Sequence, residues 1–259
     1  MFTMVCRMSE VKSIDENPST TRRDRTHART REEIVAAAQQ LVADGDELSM
    51  RAVARAVGMT APALYRYVRD HDDLVDLLGG ALYEQLIAEL IAARDAVGGD
   101  DLPGRLTAMA HAFRRWALSH RNEYGLLFAN PLTASLHEGT NGCTHRGGEL
   151  FGQAFSEVFA QLWQQGRLTV PRVDDIDPRL RAMLERSSKA EDLPLPVRYV
   201  FVRQWARLYG MVTLEAFGHL SWALEDSLAL FEEMLADTHA ELSGSAATDS
   251  PQQEPPEAP

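Results

Sequence analysis

Lysine is nearly absent from this chain of 259 residues, which carries its basic charge as arginine apart from Lys12 and Lys189. Cysteine is scarce too, with only Cys6 and Cys143, so neither an obligatory disulfide nor a metal cluster is expected. No apolar run approaches the ~20 residues that a membrane helix needs. Residues Met1–Ser13 lack a charged start followed by an apolar block, so no signal peptide is expected and the default compartment is the cytoplasm. The chain also has no Gly-rich phosphate loop, no His-Glu-x-x-His, no Gly-x-Ser-x-Gly and no paired cysteine motif. Those absences argue against an enzyme and leave no residue set that calls for a metal or another cofactor.

What is present is helical periodicity. At 45% hydrophobic and 25% charged the chain is an ordinary globular one, and strand-like alternation is essentially missing. An all-α fold follows. A first helix is predicted over about Thr30–Asp44, with Thr30 and Glu33 as a capping box and Gly45 as its stop. Leu74, Leu78, Leu82, Leu86 and Leu90 mark a long helix over about Asp72–Ala93. Further helices are predicted over about Pro103–His120, Glu123–Phe128, Glu149–Gln165, Arg179–Arg186, Val197–Phe217 and Leu224–Leu242, with a loop at 130–148. Residues 1–24 and 243–259 read as a disordered leader and tail. Residues 25–72 form a head, and 73–242 a larger helical body.

Within the head, Ser49 opens a small helix, Gly58 turns the chain, and Thr60 opens a second short helix before the acidic Asp70, Asp72 and Asp73. Two helices joined by a tight glycine turn can brace one helix while the other enters a DNA major groove. The net charge of −12 does not oppose this, because residues 19–70 hold nine arginines against seven carboxylates. Tyr65 and Tyr67 can donate to phosphates, with Arg66 and Arg69 adding charge, and Arg29 is counted among the DNA-binding candidates. Thr60 can cap its helix, and the small Ala61, Pro62 and Ala63 permit close approach to the groove floor. Arg51 suits a bidentate guanine contact. Each has a plainer alternative: Tyr65 as core, Arg51 as a solvated cation, and the arginines from Arg22 to Arg31 as a leader that never touches DNA.

The run Leu48-Ser49-Met50-Arg51 through Gly58-Met59-Thr60-Ala61-Pro62-Ala63-Leu64-Tyr65-Arg66-Tyr67-Val68 to Leu74 resembles the helix-turn-helix of the TetR family of one-component repressors. The resemblance implies that Arg51, Thr60, Ala61, Pro62 and Ala63 face base edges. It also implies that Tyr65, Tyr67 and His71 hold phosphates, with His71 standing where a lysine is common. Trp205–Glu215 resembles a C-terminal subclass with a tryptophan followed by His-Gly, Tyr209 taking the histidine's place.

In the body, Met109, Phe113, Trp116, Phe128, Phe155, Phe159, Trp163, Trp205 and Tyr209 are the candidates for lining a pocket for an apolar or aromatic effector. Leu224, Leu228, Phe231, Leu235 and Leu242 form a narrow seam, and Gly210 allows close approach on the preceding helix. Together they predict a homodimer interface. The function expected is a transcriptional regulator, a repressor, that binds a palindromic double-stranded operator as a homodimer and is released by a small molecule. The competing reading is a helical small-molecule-binding dimer without operator affinity.

Overall fold

The computed structural model describes residues 22–129, 142–187 and 193–244. Ten α-helices and no strands occur among them: α1 Arg22–Ala43, α2 Met50–Ala56, α3 Ala61–Leu64, α4 His71–Asp95, α5 Leu102–Ser119, α6 Arg121–Phe128, α7 Cys143–Gln164, α8 Pro178–Arg186, α9 Leu195–Ala216 and α10 Leu228–Ser243. The all-α expectation is met. None of these helices is long and apolar enough to cross a membrane. The leader before Arg22, the tail after Gly244 and most of the predicted 130–148 loop lie outside the described residues.

Three helix starts differ from the sequence expectation, each for a local reason. Helix α1 begins at Arg22, a full two turns before Thr30. Thr30 does not cap it: its hydroxyl donates back to the Thr26 carbonyl at 3.0 Å, and Glu33 pairs with Arg29 at 3.2 Å. Both are interactions of a helix interior. Helix α7 begins at Cys143, so the end of the predicted loop is helical. Helix α10 begins at Leu228, which leaves Leu224 outside it.

The chain divides into two compact units. One runs to Phe155 and includes Val212–His219; the other holds Ser156–Met211 and the residues from Leu220 on. No break between units falls at residue 72, because α1 packs on α4 within the first unit.

In that unit α4 is the central support, with Leu74, Leu78, Leu82, Leu86 and Leu90 all fully buried. Asp70 caps it, accepting from the Asp73 N–H at 2.8 Å. The first turn of α7 is seated on α4 at Gly79 and Gly80. A methyl group on Gly80 would lie 2.6 Å from Cys143 Cβ, and one on Gly147 would lie 2.6 Å from Tyr83 Cβ. Asp76 locks the seat: its carboxylate accepts from the N–H groups of Cys143 at 2.9 Å and Thr144 at 3.0 Å. The Thr144 hydroxyl returns a bond to the Asp76 carbonyl at 3.1 Å. A side chain on one helix thus satisfies orphan donors of the next.

The rest of the unit closes by aromatic packing and one internal ion pair. Phe113 meets Phe151 at 5.1 Å and Tyr124 meets Phe128 at 4.7 Å. Arg114 engages both carboxylate oxygens of Glu215, with Nε–Oε2 at 2.7 Å, and both side chains are largely shielded. The Tyr124 and Thr213 hydroxyls are hydrogen-bonded at 2.7 Å.

The second unit rests on Phe159 against Phe201 at 5.4 Å. Its polar tie is Glu241, which accepts from Arg207 at 2.7 Å and Gln204 at 3.0 Å. Arg198 donates to the carbonyls of Leu184 and Ser187 and so closes the C-terminus of α8.

The Arg114–Glu215 pair gives a direct test. Arg114→Met alone strands a buried carboxylate and is expected to cost roughly 3–5 kcal/mol. Arg114→Met with Glu215→Leu is expected to lie close to the parent protein, because it removes both charges. Urea unfolding midpoints of the three proteins measure the difference.

Candidate nucleic-acid interface

The short helix α3 exists because its neighbours hold it. Ser49 caps α2 by accepting from the Ala52 N–H at 3.2 Å. The turn that follows needs a left-handed residue, and Gly58 supplies it with φ of 70° while the Met59 N–H bonds the Ala54 carbonyl at 2.9 Å. Leu64 and Val68 are buried, as are Ile34, Val53 and Leu74 on the neighbouring helices. Of the residues expected to meet DNA, Thr60, Pro62, Tyr65, Arg66 and Arg51 are exposed, and Ala61 and Ala63 half-exposed.

The alternative of Tyr65 as a core residue is excluded by its 54% exposure. Tyr67 is half-buried, its ring lying 4.7 Å from that of His27 on α1. Thr60 makes no side-chain cap; its backbone carbonyl receives the first helical N–H groups while the hydroxyl stays unused by the helix. Arg29 is exposed but paired with Glu33, which offsets its charge.

His71 makes a contact inside the head. Its Nε2 lies 2.9 Å from the Leu48 carbonyl, an acceptor, so that nitrogen must carry the proton and donate inward. Its Nδ1 lies 3.8 Å from Asp72 Oδ1. The residue braces the segment before α2 against the start of α4.

One feature of the head went unread in the sequence. Arg22, Arg23, Thr26 and His27 on α1 and Arg66 and Tyr67 beyond α3 line a solvent-open cleft of about 610 Å³. The signal was there in the arginine density, but starting α1 at Thr30 hid which of those residues share a helix face with the turn after α3.

The candidate effector residues fall in both units. In the first, Met109, Phe113, Trp116 and Phe155 are buried and Phe128 half-buried, largely packed on one another's rings. The Trp116 indole N–H is buried with no acceptor. In the second, Phe159 is buried, Trp163 is 38% exposed, and Trp205 and Tyr209 are half-buried and stacked at 6.5 Å. Burial pushes the Tyr209 hydroxyl above the usual tyrosine range.

The residues of the predicted dimer seam differ in exposure within the protomer. Phe231 and Leu242 are buried inside the protomer, so that stripe of α10 packs inward, as the plainer reading of an amphipathic helix would have it. Leu224 is exposed but off the helix, while Gly210, Leu228 and Leu235 are partly open. Leu230, which the seam omitted, is 39% exposed. Among the described residues no cluster of His, Cys, Asp and Glu could hold a metal.

Two family profiles match the chain. Residues 34–78 match the profile described as bacterial regulatory proteins of the tetR family, and residues 106–238 that described as the tetracyclin repressor-like C-terminal domain. The chain belongs to the TetR family. An HTH-type transcriptional regulator of Mycobacterium tuberculosis strain H37Rv is 31% identical over 177 residues, 66% of this chain and 73% of that protein. Among solved structures, one described as a regulatory protein has a TM-score of 0.63 at 28% identity, covering 84% of this chain and 98% of that one. RolR, solved with its ligand resorcinol, has a TM-score of 0.54 at 13% identity, covering 88% of this chain and 98% of its own, and so shares the fold. The chain is thus a DNA-binding transcriptional regulator with a helix-turn-helix head and a helical C-terminal region.

For this regulator, Tyr65→Phe is expected to weaken cognate and random duplexes by the same factor, roughly threefold to tenfold for the removal of one hydrogen bond. Because no charge is removed, the dependence of affinity on salt should stay unchanged. Fluorescence anisotropy with labelled duplexes over a salt series reads both quantities.

Proposed function

We propose that this regulator is a repressor: a cytoplasmic homodimer that occupies a palindromic operator and leaves it when a small apolar or aromatic molecule binds residues 73–242. The observation that carries the DNA half is the open face of α3, with Thr60–Ala63 and Tyr65 exposed above a buried Leu64 and Val68. Residues 25–72 are the reading head. Arg51, Thr60, Ala61, Pro62 and Ala63 address base edges, while Tyr65, Arg66, Tyr67 and Arg29 address the backbone. His71 steadies the head. A dimer is required because two heads must reach successive major grooves, roughly 34–36 Å apart.

The effector half is supported by aromatic supply and by one unsatisfied group. A buried indole N–H at Trp116 is a donor awaiting an acceptor, such as a phenol or carbonyl oxygen. RolR's resorcinol is a ligand of that chemistry on the same fold. To release an operator, the effector must favour the released arrangement; going from nearly full occupancy to nearly none needs about a 10⁴-fold difference in affinity between the two.

A promoter fragment from the protein's own locus, titrated with the regulator at low and rising salt, tests the first half; absence of any shift at low salt overturns it. A thermal-shift screen with phenols and lipophilic amides tests the second. A compound that raises the melting temperature yet leaves operator affinity intact would remove it as an inducer. Arg51→Ala is expected to weaken the cognate site more than random DNA, by about 1–3 kcal/mol of discrimination. Equal losses on both would take base reading away from Arg51.

A further inference from the structure

The corner between α5 and α6 holds two buried polar groups on either side of His120, the residue at which one helix ends and the next begins. Before the corner, Trp116 is 1% exposed and its indole N–H has no acceptor. After it, Glu123 is 4% exposed and makes no hydrogen bond or ion pair to any described residue. Glu215 is the other buried carboxylate among the described residues, and Arg114 holds both of its oxygens.

The local structure satisfies neither group. Glu123 sits in the first turn of α6, where a glutamate can fold back on the helix start, yet it accepts no N–H there. The positive end of the helix favours a carboxylate at this place but supplies it no donor. Trp116 is held as it lies: the His120 ring is stacked on the indole at 5.1 Å, and its Nδ1 lies 3.1 Å from the Trp116 carbonyl. A carboxyl group removed from water without a partner destabilises the fold, and an unbonded indole N–H adds to that. A donor and an acceptor brought from outside the chain relieve both. A protonated amine is the strongest partner for the shielded carboxylate, because charge assistance roughly doubles the strength of a hydrogen bond.

We propose that the effector carries a basic nitrogen as well as an oxygen, its ammonium group held by Glu123 and its oxygen accepting from the Trp116 N–H. The class is that of phenolic amines, with an apolar ring between a cation and a hydroxyl. The inference rests on the reading that residues 73–242 take a small molecule, and it narrows that molecule by charge. Its place in the fold suits regulation. Asn122, next to Glu123, donates to the Ala43 carbonyl at 3.0 Å and so ties the start of α6 to the end of α1. An amine at Glu123 therefore acts one residue from a contact with the helix that leads into α2.

The test compares the full-length protein with Glu123→Gln, a substitution that keeps the shape of the side chain and removes its charge. Each is titrated calorimetrically with tyramine, with 4-ethylphenol, which lacks the amine, and with 2-phenylethylamine, which lacks the hydroxyl. The parent protein is expected to bind tyramine roughly tenfold to a hundredfold more tightly than 4-ethylphenol, the range for a hydrogen bond to a charged group. Glu123→Gln should close most of that gap while leaving the affinity for 4-ethylphenol unchanged. Tyramine should also exceed 2-phenylethylamine on both proteins, since the Trp116 N–H is untouched. Equal affinity of the parent for tyramine and 4-ethylphenol overturns the amine assignment and leaves an uncharged phenol as the effector. A Glu123→Gln protein that binds all three compounds more weakly by one factor, with a lowered melting temperature in their absence, makes Glu123 a structural group and overturns the proposal as well. Failure of all three to bind the parent defeats this inference; only failure of the wider phenol and amide screen defeats the effector reading itself.

Discussion

The seat of α7 on α4 is the contact on which the first unit depends. Gly79 and Gly80 remove two side chains from the face of α4, and Gly147 removes one from α7, so the backbones approach to a distance that a single methyl would prevent. Close approach alone would bury the first N–H groups of α7 away from water, a penalty that helices meet at every buried start. The Asp76 carboxylate accepts two of them, and it projects from the same helix that the glycines open. Apolar contact and polar satisfaction therefore come from residues within two turns of each other. Asp76 is in turn only six residues beyond Asp70, the cap that starts α4 directly after the reading segment. One helix thus runs from the Asp70 cap to the glycines on which α7 is seated.

The head applies the same economy on a smaller scale. A four-residue helix has almost no stability of its own, since nucleation consumes more entropy than so few hydrogen bonds return. Here α3 is fixed by Gly58 behind it, Leu64 and Val68 beneath it, and His71 bracing the preceding segment. The residues left outward are small or hydroxylated over Thr60–Ala63 and aromatic or basic over Tyr65–Tyr67. Carboxylates outnumber cations in this chain of net charge −12, and several surface arginines are neutralised by a near neighbour.

Much of this was legible in the residues. The leucine repeat of α4, the cap at Ser49, the glycine turn at Gly58 and the exposure of Tyr65 all follow from local rules, and family membership follows from the same stretch. Where the structure adds to the sequence, a local pattern fits two geometries. Thr30 followed by Glu33 reads as a capping box, yet both residues make interior helix contacts once the chain ahead of them is also helical. Phe231 and Leu242 have seam spacing, yet spacing says only that they share a face, not which neighbour covers it. His71 aligns with a phosphate contact, but a carbonyl lying 23 residues earlier in the chain claims its proton.

The amino-acid order by itself determined the all-α class, the helix-turn-helix and the family, because periodicity, capping and turn chemistry act over a few residues and are written in them. Tertiary structure alone decided which arginines find carboxylates, that Asp76 caps a helix 67 residues away, and that α1 and the turn after α3 meet across His27 and Tyr67. Those outcomes depend on distances between segments remote in the chain, and such distances are set only when the helices pack.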